Sequence, residues 1–322
     1  MTAESHSHAR GLLIIAAVLW STGSVFMRLL REPLGLGLDA PLLTPLQVAF
    51  YRGLFGGLLV LALVARSEMT FRPRMAVMMV VFTVMSGLYL SALDLGPAAN
   101  AILLQNTAPL WVYVFAVLFL HESASRRGWE TVLFGAAGAV VIVAGNWPRD
   151  LPPAEQQTQA VILMMGVGSG ITYAVVVLFL RTLRAYSSAW LVALNLLGTA
   201  ATLGAFVLLS DGPAAFGTWV TAPTARQVGV LVVFGAVQMA IPYWLFTRSL
   251  RAVPPQEAAI ITLLEPLLNP VWAYLITPEK DTPNVWMFCG GGLILLALVW
   301  QYLPRRTPAT ESAKMVADKP LD

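Results

Sequence analysis

Glu265 is the residue whose type and place most strongly suggest chemistry. It stands in the run Leu264-Glu265-Pro266-Leu267-Leu268-Asn269-Pro270, inside a stretch otherwise free of charge. A carboxylate there can hold a proton or the ammonium of a solute. A charge at the centre of hydrocarbon costs at least about 2.5 kcal/mol, so such acids face a cavity or a partner. Pro266 lacks an N–H and frees the carbonyl one turn back, at Thr262; Pro270 repeats this one turn on. Broken helices at mid-membrane are where carrier sites tend to be built. The alternative is an acid hydrogen-bonded to a neighbouring helix for packing alone.

Other residues join Glu265 as candidates. Arg52 is the one basic residue well inside an apolar stretch. It can bind a solute carboxylate, or pin its helix to a carbonyl or an acid. Gln105 and Asn106 precede Pro109, and adjacent helical residues point about 100° apart, so one of the two amides is expected to reach a cavity. Trp20, Ser21, Ser24, Tyr89, Tyr173, Tyr243 and Trp244 form a polar-aromatic set, with Pro242 beside Tyr243. Tyr and Trp combine an apolar body with one donor, which suits amphiphilic solutes and also suits ordinary packing. The substrate-binding set is Trp20, Ser21, Tyr89, Gln105, Asn106, Tyr173, Tyr243 and Glu265, with Glu265 also the proton-coupling candidate. Kinks are expected at Pro109, Pro242, Pro266 and Pro270.

Enzyme motifs are missing from the sequence. There is no Walker loop, no HExxH, no GxSxG and no Cys/His cluster. No cofactor, metal or catalytic residue is expected. The single cysteine, Cys289, cannot pair within one chain.

The elements that must position these residues are membrane helices. The 322-residue chain is 57% hydrophobic and 11% charged, and its mean hydropathy is +0.72. A soluble domain carries about 25% charged residues. Ten apolar stretches are expected, at residues 10–30, 44–66, 73–94, 97–120, 128–146, 159–182, 187–209, 226–250, 254–277 and 284–303. Each is close to the roughly 20 residues a helix needs to cross. The first runs into Arg28 and Arg31 and reads as a retained helix rather than a cleaved signal.

Two segments, 97–122 and 254–279, align without a gap at an offset of 157. Pro97 falls on Pro254, Pro109 on Pro266 and Glu122 on Glu279. The chain therefore reads as two copies of one unit. Five spans per copy is an odd number, so the second copy is inverted. The expected fold is an all-α polytopic membrane protein of ten transmembrane helices in two inverted five-helix repeats. The repeats cover 10–146 and 159–303, joined by an outer linker at 147–158. A cytoplasmic tail covers 1–9, and a disordered cytoplasmic tail covers 304–322. Placing the N-terminus inside puts fourteen Lys and Arg in the cytoplasm and five outside. That bias orients both termini inward. The small basic excess concerns loop orientation, not nucleic acid.

Several of these residues resemble a known family. Leu19-Trp20-Ser21-Thr22-Gly23-Ser24-Val25-Phe26-Met27-Arg28 is similar to its opening helix, and Phe50-Tyr51-Arg52-Gly53 to its arginine-bearing second helix. Ala92-Leu93-Asp94-Leu95-Gly96-Pro97-Ala98-Ala99-Asn100-Ala101 resembles its third-to-fourth turn. Leu264-Glu265-Pro266-Leu267-Leu268-Asn269-Pro270-Val271-Trp272-Ala273 resembles its ninth helix. The set, in register with the repeat, resembles the EamA-like branch of the drug/metabolite transporter superfamily. Two departures stand out: Ala108 faces Glu265 in the alignment, and the glycine usual before the terminal acid is His121 in one copy and Pro278 in the other. The resemblance implies a secondary carrier of small metabolites, often an amino-acid exporter, in the inner membrane. A channel-like facilitator and an intramembrane enzyme are the alternatives. The partners expected are a small solute and the lipid bilayer. Glycines in the fifth and tenth helices, Gly135, Gly138, Gly290, Gly291 and Gly292, offer a surface for a homodimer.

Overall fold

The computed structural model describes residues 3–149, 151–250 and 252–303. Every regular element among them is helical. The first span is broken into α1 (Ala3–Trp20) and α2 (Gly23–Arg31). The second and third are α3 (Pro45–Leu61) and α4 (Pro73–Leu95). The fourth is α5 (Ala98–Gln105) with α6 (Ala108–Phe119), and the fifth is α7 (Arg126–Gly145). The sixth is α8 (Pro153–Thr182) and the seventh begins α9 (Ser188–Thr221). The eighth joins α10 (Ala225–Phe234), a π-helical turn (Gly235–Ala240) and α11 (Ile241–Ser249). The ninth is α12 (Pro255–Thr262) with α13 (Leu264–Ile276). A short α14 (Pro278–Asp281) leads to the tenth, α15 (Val285–Tyr302). Nine spans among the described residues are long and apolar enough to cross a membrane, and α3 is a shorter tenth.

Some boundaries differ from the sequence reading. The second span ends at Leu61 rather than near 66, and a 3-10 turn follows at Arg66–Glu68. The seventh does not stop at 209. It reaches Gly212, whose φ of 88° breaks the helix, and continues after Pro213 to Thr221. This continuation folds against the start of α3. The Gln47 side chain donates to Trp219 O at 2.8 Å, Tyr51 donates to Val220 O, and Phe50 packs on the Trp219 ring. The tail at 304–322 lies outside the described residues.

Packing follows the two-copy pattern. Exchanging the copies maps the third-on-sixth contact onto the eighth-on-first, and both exist, as α4 on α8 and α11 on α1. The pairs α3 with α9, and α7 with α15, each map onto themselves. The contact of α5 with α13 brings the fourth and ninth spans together. The contacts are thus those of two copies of one unit packed face to face. The fifth and tenth spans approach at Gly138 and Gly290, where a Cβ on either would come within 2.5 Å of the other's carbonyl oxygen. Small residues permit this approach, so these two glycines pack inside the chain. Large apolar side chains such as Leu133, Phe134, Phe288 and Leu296 face outward, as helices surrounded by lipid require.

Candidate functional site

Three spans are interrupted, and a fourth carries the π turn. The fourth and ninth are interrupted in the same register: the bounds of α5 and α12 differ by 157 at both ends. Local chemistry explains each break. Pro109 and Pro266 remove the N–H that would bond the carbonyls of Gln105 and Thr262. Thr107 Oγ1 donates to Leu104 O at 2.6 Å and Thr262 Oγ1 to Ala259 O at 2.9 Å. Such bonds compete with the helix ladder and bend it. The first span has no proline. Instead Ser21 Oγ donates to Val18 O at 2.7 Å and Thr22 Oγ1 to Leu19 O at 2.6 Å, at the break itself. In the eighth, Pro242 follows the π turn, and its missing N–H leaves the carbonyl of Gln238 without that partner. π turns frequently mark functional sites.

Polar side chains from both copies converge at these irregularities. Arg52 is buried and donates to Gln238 Oε1 at 2.9 Å and, more weakly, to Ser86 Oγ at 3.5 Å. Its guanidinium also stands 5.7 Å from the centre of the Phe234 ring. Gln238 donates to Trp20 O at 3.4 Å, at the edge of the first-span break. Ser24 Oγ donates to Asn269 O at 2.9 Å, and Trp272 Nε1 donates to Ser21 Oγ at 2.9 Å. Gly23 is what lets three spans meet: a Cβ there would come within 2.3 Å of Gln238 Nε2 and 3.6 Å of Asn269 Nδ2. Glu265, at the start of α13, lies within electrostatic reach of Arg52, Tyr89 and Tyr173. The Tyr89 hydroxyl lies beside Asn269. Tyr89 Oη, Arg52 Nε and both amide atoms of Asn269 are buried without a well-aligned protein partner among the described residues. Buried polar groups are normally paired, so this cluster has hydrogen-bonding capacity to offer a solute or water.

The EamA-like transporter family model matches residues 10–144 and again 160–303. The chain belongs to the EamA-like transporter family. An uncharacterized transporter of Archaeoglobus fulgidus is 29% identical, over 91% of this chain and 95% of that protein. The pseudopaline exporter CntI of Pseudomonas aeruginosa is 25% identical, over 89% and 94%. An S-adenosylmethionine uptake transporter of Rickettsia bellii is 24% identical, over 73% and 78%. A solved crystal structure with 18% identity aligns at a TM-score of 0.58, covering 94% of this chain and all of its own, which speaks to the fold.

Within this EamA-like chain the expected site residues divide. Glu265, Arg52, Tyr89, Ser21 and Trp20 belong to the cluster. Tyr243 joins it through Trp20, with ring centres 5.9 Å apart, while Tyr173 is 40% exposed at its edge. The two amides of the fourth span divide: Gln105 Nε2 reaches across to Met85 Sδ of α4 at 3.3 Å, and Asn106 donates within its own span to Ile102 O at 2.8 Å. Pro266 and Pro242 are buried, Pro109 is half-buried, and α13 runs through Pro270. The site set had missed Gln238, Asn269 and Ser86. Gln238 was detectable as an amide in an otherwise apolar span. Asn269 was hidden by its neighbour, since Pro270 drew attention to the backbone. A separate small cleft lies between the fourth and sixth spans, lined by Asn100, Asn146 and Gln159 among apolar residues.

Proposed function

We propose that this chain is a secondary transporter that moves small metabolites, amino acids or related amphiphilic solutes, out of the cell. In this reading it spans the inner membrane with both termini cytoplasmic and works by alternating access. The observation that carries the reading is the convergence of the broken first and ninth spans and the π turn of the eighth, drawn from both inverted copies, on Glu265, Arg52, Tyr89 and Asn269. Discontinuous helices at a repeat interface supply carbonyls and helix ends to a solute while the copies rock around it. Glu265 is the group that takes a proton or a solute ammonium. Arg52 is held by Gln238 and Ser86, and supplies fixed positive charge toward a carboxylate.

The export direction comes from the family resemblance and from one exporter among the relatives, while another relative is named for uptake. The test is counterflow in proteoliposomes. A carrier takes up labelled solute saturably, and faster when unlabelled solute is on the other side. A channel lacks that acceleration, and an enzyme returns an altered compound. A thermal-shift screen of amino acids and related solutes selects the substrate, because a ligand of the native state raises stability by mass action.

A further inference from the structure

Six charged side chains that take no part in the central cluster gather where α2, the α4–α5 turn and α14 meet. Arg28 is 1% exposed and Asp281 is 2% exposed. Arg28 Nε donates to Asp281 Oδ2 at 2.8 Å and its Nη2 to Asp281 Oδ1 at 2.9 Å, a two-pronged pair. The same guanidinium donates to Gly96 O at 3.0 Å and Asp94 O at 3.1 Å. Asp281 also accepts from the first N–H of α5, Ala98 N, at 2.7 Å, and from Thr277 Oγ1 at 2.6 Å. Arg31 pairs with Asp94 at 2.7 Å, and Lys280 with Glu32 at 2.5 Å. Three cations thus meet three anions, and each charge is paired.

The network joins the two copies. Arg28 and Asp94 belong to the first copy, and Asp281 follows the ninth span of the second. It also stands in one line with the central cluster, since Ser24, bonded to Asn269 O, is one turn from Arg28 on α2. The opposite face has a counterpart in kind. Arg181 lies in the last turn of α8, as Arg28 does in α2. Glu122 aligns with Glu279, two residues from Asp281. Their separation is 3.4 Å, and the two side chains are 50% and 49% exposed. One face is therefore closed by buried, multiply bonded charges, and the other carries more solvated pairs, Arg181 with Glu122 and Arg10 with Glu257. Exposed pairs hold little, whereas breaking one partner of a buried pair leaves an uncompensated charge.

We propose that the Arg28–Asp281 network is the gate that seals the central cluster from the face carrying α14, and that Arg181–Glu122 is its weaker counterpart opposite. This rests on the alternating-access reading. Opening the gate has to part α2 from α14 and free the start of α5. The structure is the state in which this gate is shut.

The test uses the full chain with Cys289→Ser and one reporter thiol, Ser24→Cys or Thr262→Cys, on either side of the cluster. A membrane-impermeant maleimide is added to intact cells or to inverted vesicles. Asp281→Asn keeps an acceptor for Ala98 N while removing the charge. It should raise Ser24→Cys labelling from the gate face by about tenfold, the response to a population shift of one decade. Labelling of Thr262→Cys from the opposite face should fall. Arg28→Gln should do the same. Unchanged rates would overturn the gate, and so would rates that rise together at both reporters, which is the signature of a loosened fold. If the rates move oppositely but proteoliposomes show no counterflow of any screened solute, the gate stands and the carrier reading fails.

Discussion

Glu265 is half-buried, with Arg52 and Tyr89 around it and no acid at the matching place, Ala108, in the other copy. If it binds a proton or a solute ammonium, Glu265→Gln should fold normally while initial uptake falls about tenfold, the equivalent of ~1.4 kcal/mol in solute binding. Its rate should also lose the pH dependence of the parent between about pH 5 and 8, the range in which a tuned carboxylate works. Uptake rates across that range for wild type and variant decide the matter: a wild-type rate and profile would leave Glu265 as packing. His121 makes a different residue-scale case. Its φ is 53°, in the left-handed region, and Glu122 N reaches back to Ala116 O at 3.1 Å to close the end of α6. Glycine suits such a cap without the Cβ penalty. His121→Gly should therefore raise stability in detergent by roughly 1 kcal/mol, read as a higher midpoint of thermal unfolding.

At the scale of elements, helices are held by what their neighbours allow rather than by intrinsic propensity. Gly138 and Gly290 set the distance between α7 and α15 through reciprocal contact with each other's carbonyl. Gly138→Val should push the two helices apart and cost about 1–3 kcal/mol, the price of overpacking a tight interface. Thermal unfolding of the purified protein measures this. Because those two glycines are used inside the chain, a homodimer at this face would have to use the outward side chains Leu133, Phe134, Phe288 and Leu296. Gly23 sets a second distance. Gly23→Ala should displace Gln238 from the Trp20 carbonyl and Arg52, so transport should fall with less effect on folding. An unchanged uptake rate would show that this contact does not matter to the site.

For the whole molecule, the two-copy pattern and the charge bias together predict topology. Single cysteines at Ser67 should label only from the cytoplasm, and those at Pro152 and Glu279 only from outside; all three positions are exposed. Labelling of Glu279 from the cytoplasm would remove both the orientation and the gate's assignment to the outer face. The fold itself depends on neither, because the contacts of α4 with α8 and of α11 with α1 repeat the same arrangement in either orientation.

The sequence by itself determined the apolar spans, the doubling and the breaks in the fourth and ninth. Those features follow from local chemistry: hydrocarbon length needs about 20 apolar residues, and a proline forfeits a helix hydrogen bond wherever it stands. The acid at Glu265 was legible for the same reason, as a charge where hydrocarbon penalises one. Other features were decided by tertiary structure alone. Ser21 and Thr22 are ordinary polar residues until their bonds to Val18 O and Leu19 O open the first span. Gln238, Asn269 and Ser86 acquire a shared place only when five spans from two copies meet at Gly23 and Arg52. Arg28 and Asp281, 253 residues apart, read in sequence as two unrelated charges at span ends, of which only Arg28 bears on orientation. Burial against each other and against the start of α5 turns them into one neutral, dry network, and no spacing along the chain encodes that meeting.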